Sequence, residues 1–265
     1  MYWYRAEKGR IQWPSPIALT IGFIANFFDA LGIGCFATIT AAWRYFGLVR
    51  DEHIPGSLNA GVTIPAILEG LIYIAVIEVD MVTLVSMIAA AVVGAWLGAD
   101  VVSGWSRRKI QIGLGTALLI TAGFGLASKL GYLPGSGDLL GFTGVKLAIA
   151  VAINCMLGAL TTLGIGFFAP CMIAVYLLGL DAKAAFPIMM GSVSFLGPVA
   201  SVPFIRKGAY DMKAALSLTL GGVPGVLLAA FLVKSLPLET VRWGVLVIVV
   251  YTGLMTLRAA RTRTA

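Results

Sequence analysis

The sequence predicts an all-α polytopic membrane protein made of two inverted-topology repeats, each a Gly-broken helix pair followed by three transmembrane helices. Three observations carry this reading. Hydrophobic residues fill 59% of the 265 positions and charged residues only 12%, with a mean hydropathy of +0.95. A soluble domain carries roughly 25% charge. Apolar stretches of about 20 residues, the length that spans a bilayer as helix, recur along the whole chain, and the alternation of a membrane β-barrel is absent. Finally, the chain contains itself twice. Leu31-Gly32-Ile33-Gly34 returns as Leu163-Gly164-Ile165-Gly166 at an offset of 132, which also relates Gly47 to Gly179 and Pro55 to Pro187. The offset becomes 131 for Asp80-Met81 and Asp211-Met212, for Gly94 and Gly225, and for Gly113 and Gly244.

Residues 1–14 read as an interfacial segment, with Tyr2, Trp3, Tyr4 and Trp13 at headgroup level and no signal-peptide cleavage pattern. Repeat 1 covers 15–131. Its long apolar stretch, about Pro14 to Leu48, is interrupted by Asp29, Gly32 and Gly34, and three apolar segments follow, near Gly56–Ile77, Met81–Gly104 and Ile110–Leu130. A Gly- and Pro-containing connector, 132–144, leads into repeat 2 over 145–265. There the long stretch runs from about Leu147 to Leu180, broken at Gly164 and Gly166, before segments near Phe186–Ile205, Met212–Val233 and Val241–Leu257. Each long stretch exceeds one untilted crossing. Two glycines at i and i+2 make a poor helix interior. Each stretch is therefore expected to split into two short helices, the alternative being one long tilted helix with a kink.

Loop charges favour the split. If each split stretch leaves and returns on one side, that side collects Arg5, Lys8, Arg10, Arg50, Arg107, Arg108, Lys109, Arg206, Lys207, Lys213, Arg258, Arg261 and Arg263. The other side receives only Lys129, Lys146, Lys183, Lys234 and Arg242, together with Glu78, Asp80, Asp138, Asp181 and Glu239. Basic loops mark the cytoplasmic side. Repeat 1 then starts inside and repeat 2 outside, so the repeats are inverted, both termini are cytoplasmic, and ten helices result. The broken pairs either cross fully or form re-entrant hairpins.

A broken helix leaves backbone donors and acceptors unpaired, at several kcal/mol each in hydrocarbon, unless protein, water or substrate satisfies them. The helix after each break presents free N–H groups and the positive end of its dipole. Two such ends meeting near the midplane make an anion site. The substrate-binding candidates are Gly32, Gly34, Cys35, Thr38, Thr161, Gly164, Gly166 and Phe167 at the breaks, with Asn59, Thr63, Ser192 and Ser194 in the helix that follows. Thr40, Thr162, Asn26 and Asn154 lie nearby. The plain alternative is that these glycines permit close helix packing and the polar side chains bridge helices.

Three acids fall inside apolar segments: Asp29, Glu69 and Asp100. Asp29 and Glu69 are candidates for binding a coupling proton, Asp29 equally for capping the break, whereas Asp100 reaches the interface. Arg44 near a helix end snorkels. His53, the sole histidine, sits in a solvated loop, and no HExxH or GxSxG pattern exists. Cys35, Cys155 and Cys171 show no metal or redox spacing. No cofactor is expected. The net charge of +7 reflects basic loops and not nucleic-acid binding.

The stretches GFIANFFDALGIGCFAT from Gly22 and GALTTLGIGFFAP from Gly158, with VGAWLGA from Val93, resemble the TauE/SafE family of sulfite exporters and sulfonate permeases. The likeness covers nearly the whole chain past Ser15. Many members carry a Gly-Gly-Gly run at the break, where this chain has Gly34-Cys35-Phe36 and Gly166-Phe167-Phe168, a departure that bears on pocket size and substrate. The resemblance implies a secondary transporter, an exporter of small sulfur-containing or organic anions such as sulfite or sulfonates, in the bacterial inner membrane. Its repeats would rock about a midplane site, and its partners would be the anion and the lipid bilayer. An anion channel using the same breaks is the other reading. An intramembrane enzyme with Cys35 or Cys171 as nucleophile would need a nearby base, and the sequence offers none.

Overall fold

In the computed structural model the described residues are 13–102 and 137–233, other than 33, 51–52, 163–165 and 182, with scattered positions in 108–130 and 243–261. They form eight helices: α1 (Pro16–Ala30), α2 (Cys35–Phe46), α3 (Ile54–Val76), α4 (Met81–Val102), α5 (Gly144–Thr161), α6 (Phe168–Leu177), α7 (Ala185–Arg206) and α8 (Met212–Val233). No strand occurs among them, only an isolated bridge between Leu139 and Leu180. Helices α3, α4, α5, α7 and α8 are long and apolar enough to cross a membrane, and α1 is a shorter apolar helix. The chain is a multi-pass helical membrane protein. The segments expected over Ile110–Leu130 and Val241–Leu257 fall largely outside the described residues, as do residues 1–12 of the interfacial segment, Gly164 and the side chain of Asp100.

Local chemistry starts and stops these helices. Ser15 caps α1 by accepting the Ala18 N–H at 3.2 Å, with Pro16 in the first turn. The same device opens α4 and α8. Asp80 Oδ2 accepts the Thr83 N–H and Asp211 Oδ1 accepts the Ala214 N–H, both at 2.8 Å, from positions 131 residues apart. Helix α2 ends at Gly47, whose φ of 61° lets the Leu48 N–H return to the Trp43 carbonyl at 2.9 Å.

At the centre, α3 and α7 run antiparallel. Gly56 faces Phe204 at one end, Thr63 Oγ1 lies 3.3 Å from Ser201 Oγ, and Ser194 Oγ donates to the Ala66 carbonyl at 2.5 Å. Helix α8 packs on α1 and α3, and α4 packs on α5 and α7. Glycines set these approaches. Gly94 on α4 lies against the Cys155 backbone on α5, and Gly225 on α8 against the Phe23 backbone on α1. Gly158 meets Ala91, and Gly222 meets Asn26. In each case the second contact is the first with its partners shifted by 131 and 132 residues and the halves exchanged. Small residues let backbones come this close where lipid gives no hydrophobic drive to associate.

Leu58, Ile188, Met189, Met190, Leu196 and Leu218 are fully buried between these helices, whereas Ile64, Leu71, Val82, Trp96, Phe195 and Phe231 point outward. An apolar exterior is the expected face toward lipid. The loops gather at two ends. At one, the Asp80 N–H donates to Leu140 O and the Asp181 N–H to Leu139 O, both at 2.8 Å. At the other, the Asp211 N–H donates to Ser57 Oγ at 2.7 Å. Asp80, Asp138 and Asp181 thus share one end, and Arg206, Lys207 and Lys213 the other.

Candidate functional site

Helix α1 stops at Ala30. The chain turns through Gly32 and Gly34, with φ of 85° and 75°, before α2 starts at Cys35. Only glycine adopts such values without strain. The turn is held from three sides. The Gly32 N–H donates to Asp29 O at 2.8 Å, the Tyr73 hydroxyl on α3 donates to Ala30 O, and Asp29 Oδ1 accepts the Cys35 N–H at 2.7 Å. A buried carboxylate therefore sits at the N-terminus of α2, where the helix dipole favours negative charge.

The second turn is built differently. Helix α5 ends at Thr161, and α6 starts at Phe168 with no side-chain cap. Thr161, which stands where Asp29 stands in the first copy, donates its hydroxyl back to Leu157 O at 2.9 Å. Thr162 does the same to Ala159 O at 2.7 Å. No carboxylate occupies this helix end.

Residues on either side of the two interruptions line a small, half-open cavity. It is lined by Asp29, Gly34, Cys35 and Phe36 from the first, by Thr161, Gly166, Phe167 and Phe168 from the second, and by Val193 of α7. Each of the first four residues becomes one of the second four on adding 132. The space admits little more than one water-sized body.

Of the sequence-derived candidates, Asp29, Gly34, Cys35, Thr161, Gly166 and Phe167 come together here. Gly32 packs beside them against Phe186 and Met189. The others lie outside the cavity wall. Thr38 is exposed on α2. Asn59 Nδ2 donates to Pro55 O at 2.8 Å, and Thr63 Oγ1 donates to Asn59 O at 2.6 Å. Ser192 Oγ lies 3.0 Å from Asn154 Nδ2, which also donates to Met87 O at 2.8 Å, while Cys171 donates to Asn154 Oδ1. Ser194 bonds Met190 O as well as Ala66 O. These groups tie helices together or satisfy their own turns. Arg44 is exposed in the last turn of α2, and His53 is half-buried at the start of α3.

Glu69 is the exception in kind. It lies in the middle of α3 with no exposed surface, and neither carboxyl oxygen has a hydrogen-bond partner. It lies one turn before Tyr73 on α3, and the Tyr73 hydroxyl bonds Ala30 O beside Asp29, so the two acids occupy the same buried region.

Phe36, Phe168 and Val193 were not among the sequence candidates. The first two stand at the same place in both copies of the break, so the repeat itself carried their signal. Val193 had none, since it is one apolar residue of an apolar helix.

The fold defines an all-helical, multi-pass membrane protein, with a small cavity lined by residues near the ends of α1 and α5 and the starts of α2 and α6. Residues 146–265 match the family model for the sulfite exporter TauE/SafE. The second half of the chain is thus similar to the TauE/SafE family, which is one of transporters. Searches of curated proteins and of solved structures gave no match.

Proposed function

We propose that the chain is a secondary transporter that exports a small sulfur oxyanion or organic anion, such as sulfite or a sulfonate, across the bacterial inner membrane, with both termini cytoplasmic. The observation that carries this is the cavity wall, four residues from one helix break and the same four positions from the other. A site shared equally between two repeats is the arrangement that inverted-repeat transporters use for alternating access. The exchanged glycine contacts, Gly94 with Cys155 and Gly225 with Phe23, support the same symmetry. The anion would lie against the N-terminus of α6, near Gly166 and Phe167, with Gly34, Cys35 and Thr161 opposite.

The narrowness of the cavity supports a carrier over an open channel, because a sulfite ion enters only when the walls part. Helix packing suggests what parts. Helices α1 and α8 travel together, as do α4 and α5, while α3 and α7 hold the centre. Each moving unit then draws helices from both repeats, which refines a picture of one whole repeat rocking on the other. The membrane potential supplies about 2.3 kcal/mol per charge per 100 mV and favours anion exit from a negative interior.

Flux of sulfite and of several sulfonates into proteoliposomes tests this. Saturable flux of at least one is expected. Absence of flux for all of them removes the proposal, and linear, non-saturating currents would replace it with a channel.

A further inference from the structure

We propose that Asp29 and Glu69 form one proton-binding site that adjoins the anion cavity, with Asp29 linking the two; the link to the anion rests on the transport reading above, whereas the proton site does not. The geometry is the ground for it. Glu69 is fully buried on α3, and both of its oxygens lack a partner. A carboxylate in that state has neither water nor a donor to stabilise its charge. Its ionisable neighbours among the described residues come from three helices. From α1 comes Asp29, from α2 Cys35, and from α3 itself Tyr73, whose hydroxyl is committed to Ala30 O. The only ionisable residues on α7 and α8 are Arg206 and Lys213. These lie at the end of the bundle where Gly56 and Ser57 meet the 207–211 loop.

With both carboxyls ionised, two negative charges would lie in one buried region, Glu69 with no hydrogen-bond donor to either oxygen. One proton held between them removes that repulsion. The two acids are not equivalent. Asp29 accepts the Cys35 N–H and lines the cavity, so its charge is balanced by the α2 dipole and felt by whatever anion enters. Glu69 has no such anchor and lies behind it. The proton therefore rests on Glu69 when the cavity is empty. An anion arriving beside Gly166 and Phe167 sets a second negative charge against Asp29, and a second proton entering the pair returns the site to the single negative charge it held when empty. The second repeat has nothing comparable, because Thr161 replaces Asp29 and is turned onto Leu157.

Infrared spectroscopy of the full chain in lipid nanodiscs tests the proton site without any transport. At neutral pH the wild type should show a protonated-carboxyl band that Glu69→Gln removes and Asp29→Asn shifts. Addition of sulfite should increase the wild-type band and leave the Asp29→Asn spectrum unchanged. A wild type with no protonated-carboxyl band at neutral pH overturns the proposal, as does a band that survives both substitutions. A band present but indifferent to sulfite overturns the link to the anion if the same preparation transports sulfite. A band present in a protein that moves none of the tested anions instead sinks the transport reading and leaves the proton site standing.

Discussion

The amide of Cys35 donates to the carboxyl of Asp29 at 2.7 Å across the turn between α1 and α2, so one of the two helix ends already carries an acidic side chain of the protein's own. Removing that acid and removing that hydrogen bond are separable. Asp29→Ala leaves a buried N–H without an acceptor and should lower stability by about 1–3 kcal/mol. Asp29→Asn keeps an oxygen in place and should cost less than about 1 kcal/mol. Thermal unfolding in detergent compares the two, and equal losses would show that the bond contributes nothing.

Glycines 34 and 166 occupy the same place in the two breaks but should fail in different ways. Both have open space around them. Gly34 is left-handed, with φ of 75°, so Gly34→Ala strains the backbone by about 1–2 kcal/mol. Gly166 is not left-handed. Gly166→Ala should leave the melting temperature nearly unchanged while its methyl takes up space that the anion would occupy in the small cavity, with about a tenfold loss of sulfite transport. Melting curves beside flux rates on both variants check this.

Close packing between the halves should be vulnerable at matching points. A side chain at Gly94 would meet the Cys155 backbone, and one at Gly225 the Phe23 backbone. Gly94→Val and Gly225→Val should each destabilise by about 1–3 kcal/mol through overpacking. Tolerance of one and not the other, read from denaturation midpoints, would break the equivalence of the two contacts.

Asp80 gives the start of α4 a pH dependence. It lies exposed at a loop, and hydrogen bonds from the Thr83 N–H and hydroxyl hold its carboxyl below the ordinary carboxylate range. A lowered value in the folded state means that its stabilising effect is complete above the unfolded value and fades as pH falls through the folded one. Amide protection factors at Thr83 and Leu84, with the intrinsic pH dependence of exchange divided out, should therefore fall on acidification in the wild type, and Asp80→Asn should flatten that dependence.

Much of the architecture was legible because membrane helices write their limits in composition. Segments read at Met81–Gly104 and Met212–Val233 stand within two residues of α4 and α8, since in each an Asp cap precedes an unbroken apolar run. The end of α1 at Ala30 lies next to Gly32 and Gly34, where two glycines at i and i+2 interrupt an apolar run, whereas the adjacent Gly221-Gly222 pair stays inside α8. Side-chain partners were not readable. Ser192, Ser194, Asn59 and Thr63 suit anion binding by residue type, yet they bond Asn154, Ala66, Pro55 and Asn59 respectively. In a bilayer a hydroxyl or amide does equally well as a bridge between helices, and only the rotation of α3 and α7 about their axes decides. Substituting Ser194 by Ala should accordingly lower stability by about 1 kcal/mol and leave the flux KM unchanged.

Among the described residues the contacts between helices mostly run from one half to the other, α1 on α8, α5 on α4 and α3 on α7. Each described helix set therefore buries its faces chiefly against the other half. A fragment ending near Gly131 would have to find a complementary fragment before it could pack, and the two halves produced as separate chains should assemble into the same bundle. In that sense the protein is a tethered dimer, with residues 132–144 serving to keep two mutually dependent partners at a fixed one-to-one ratio in the membrane.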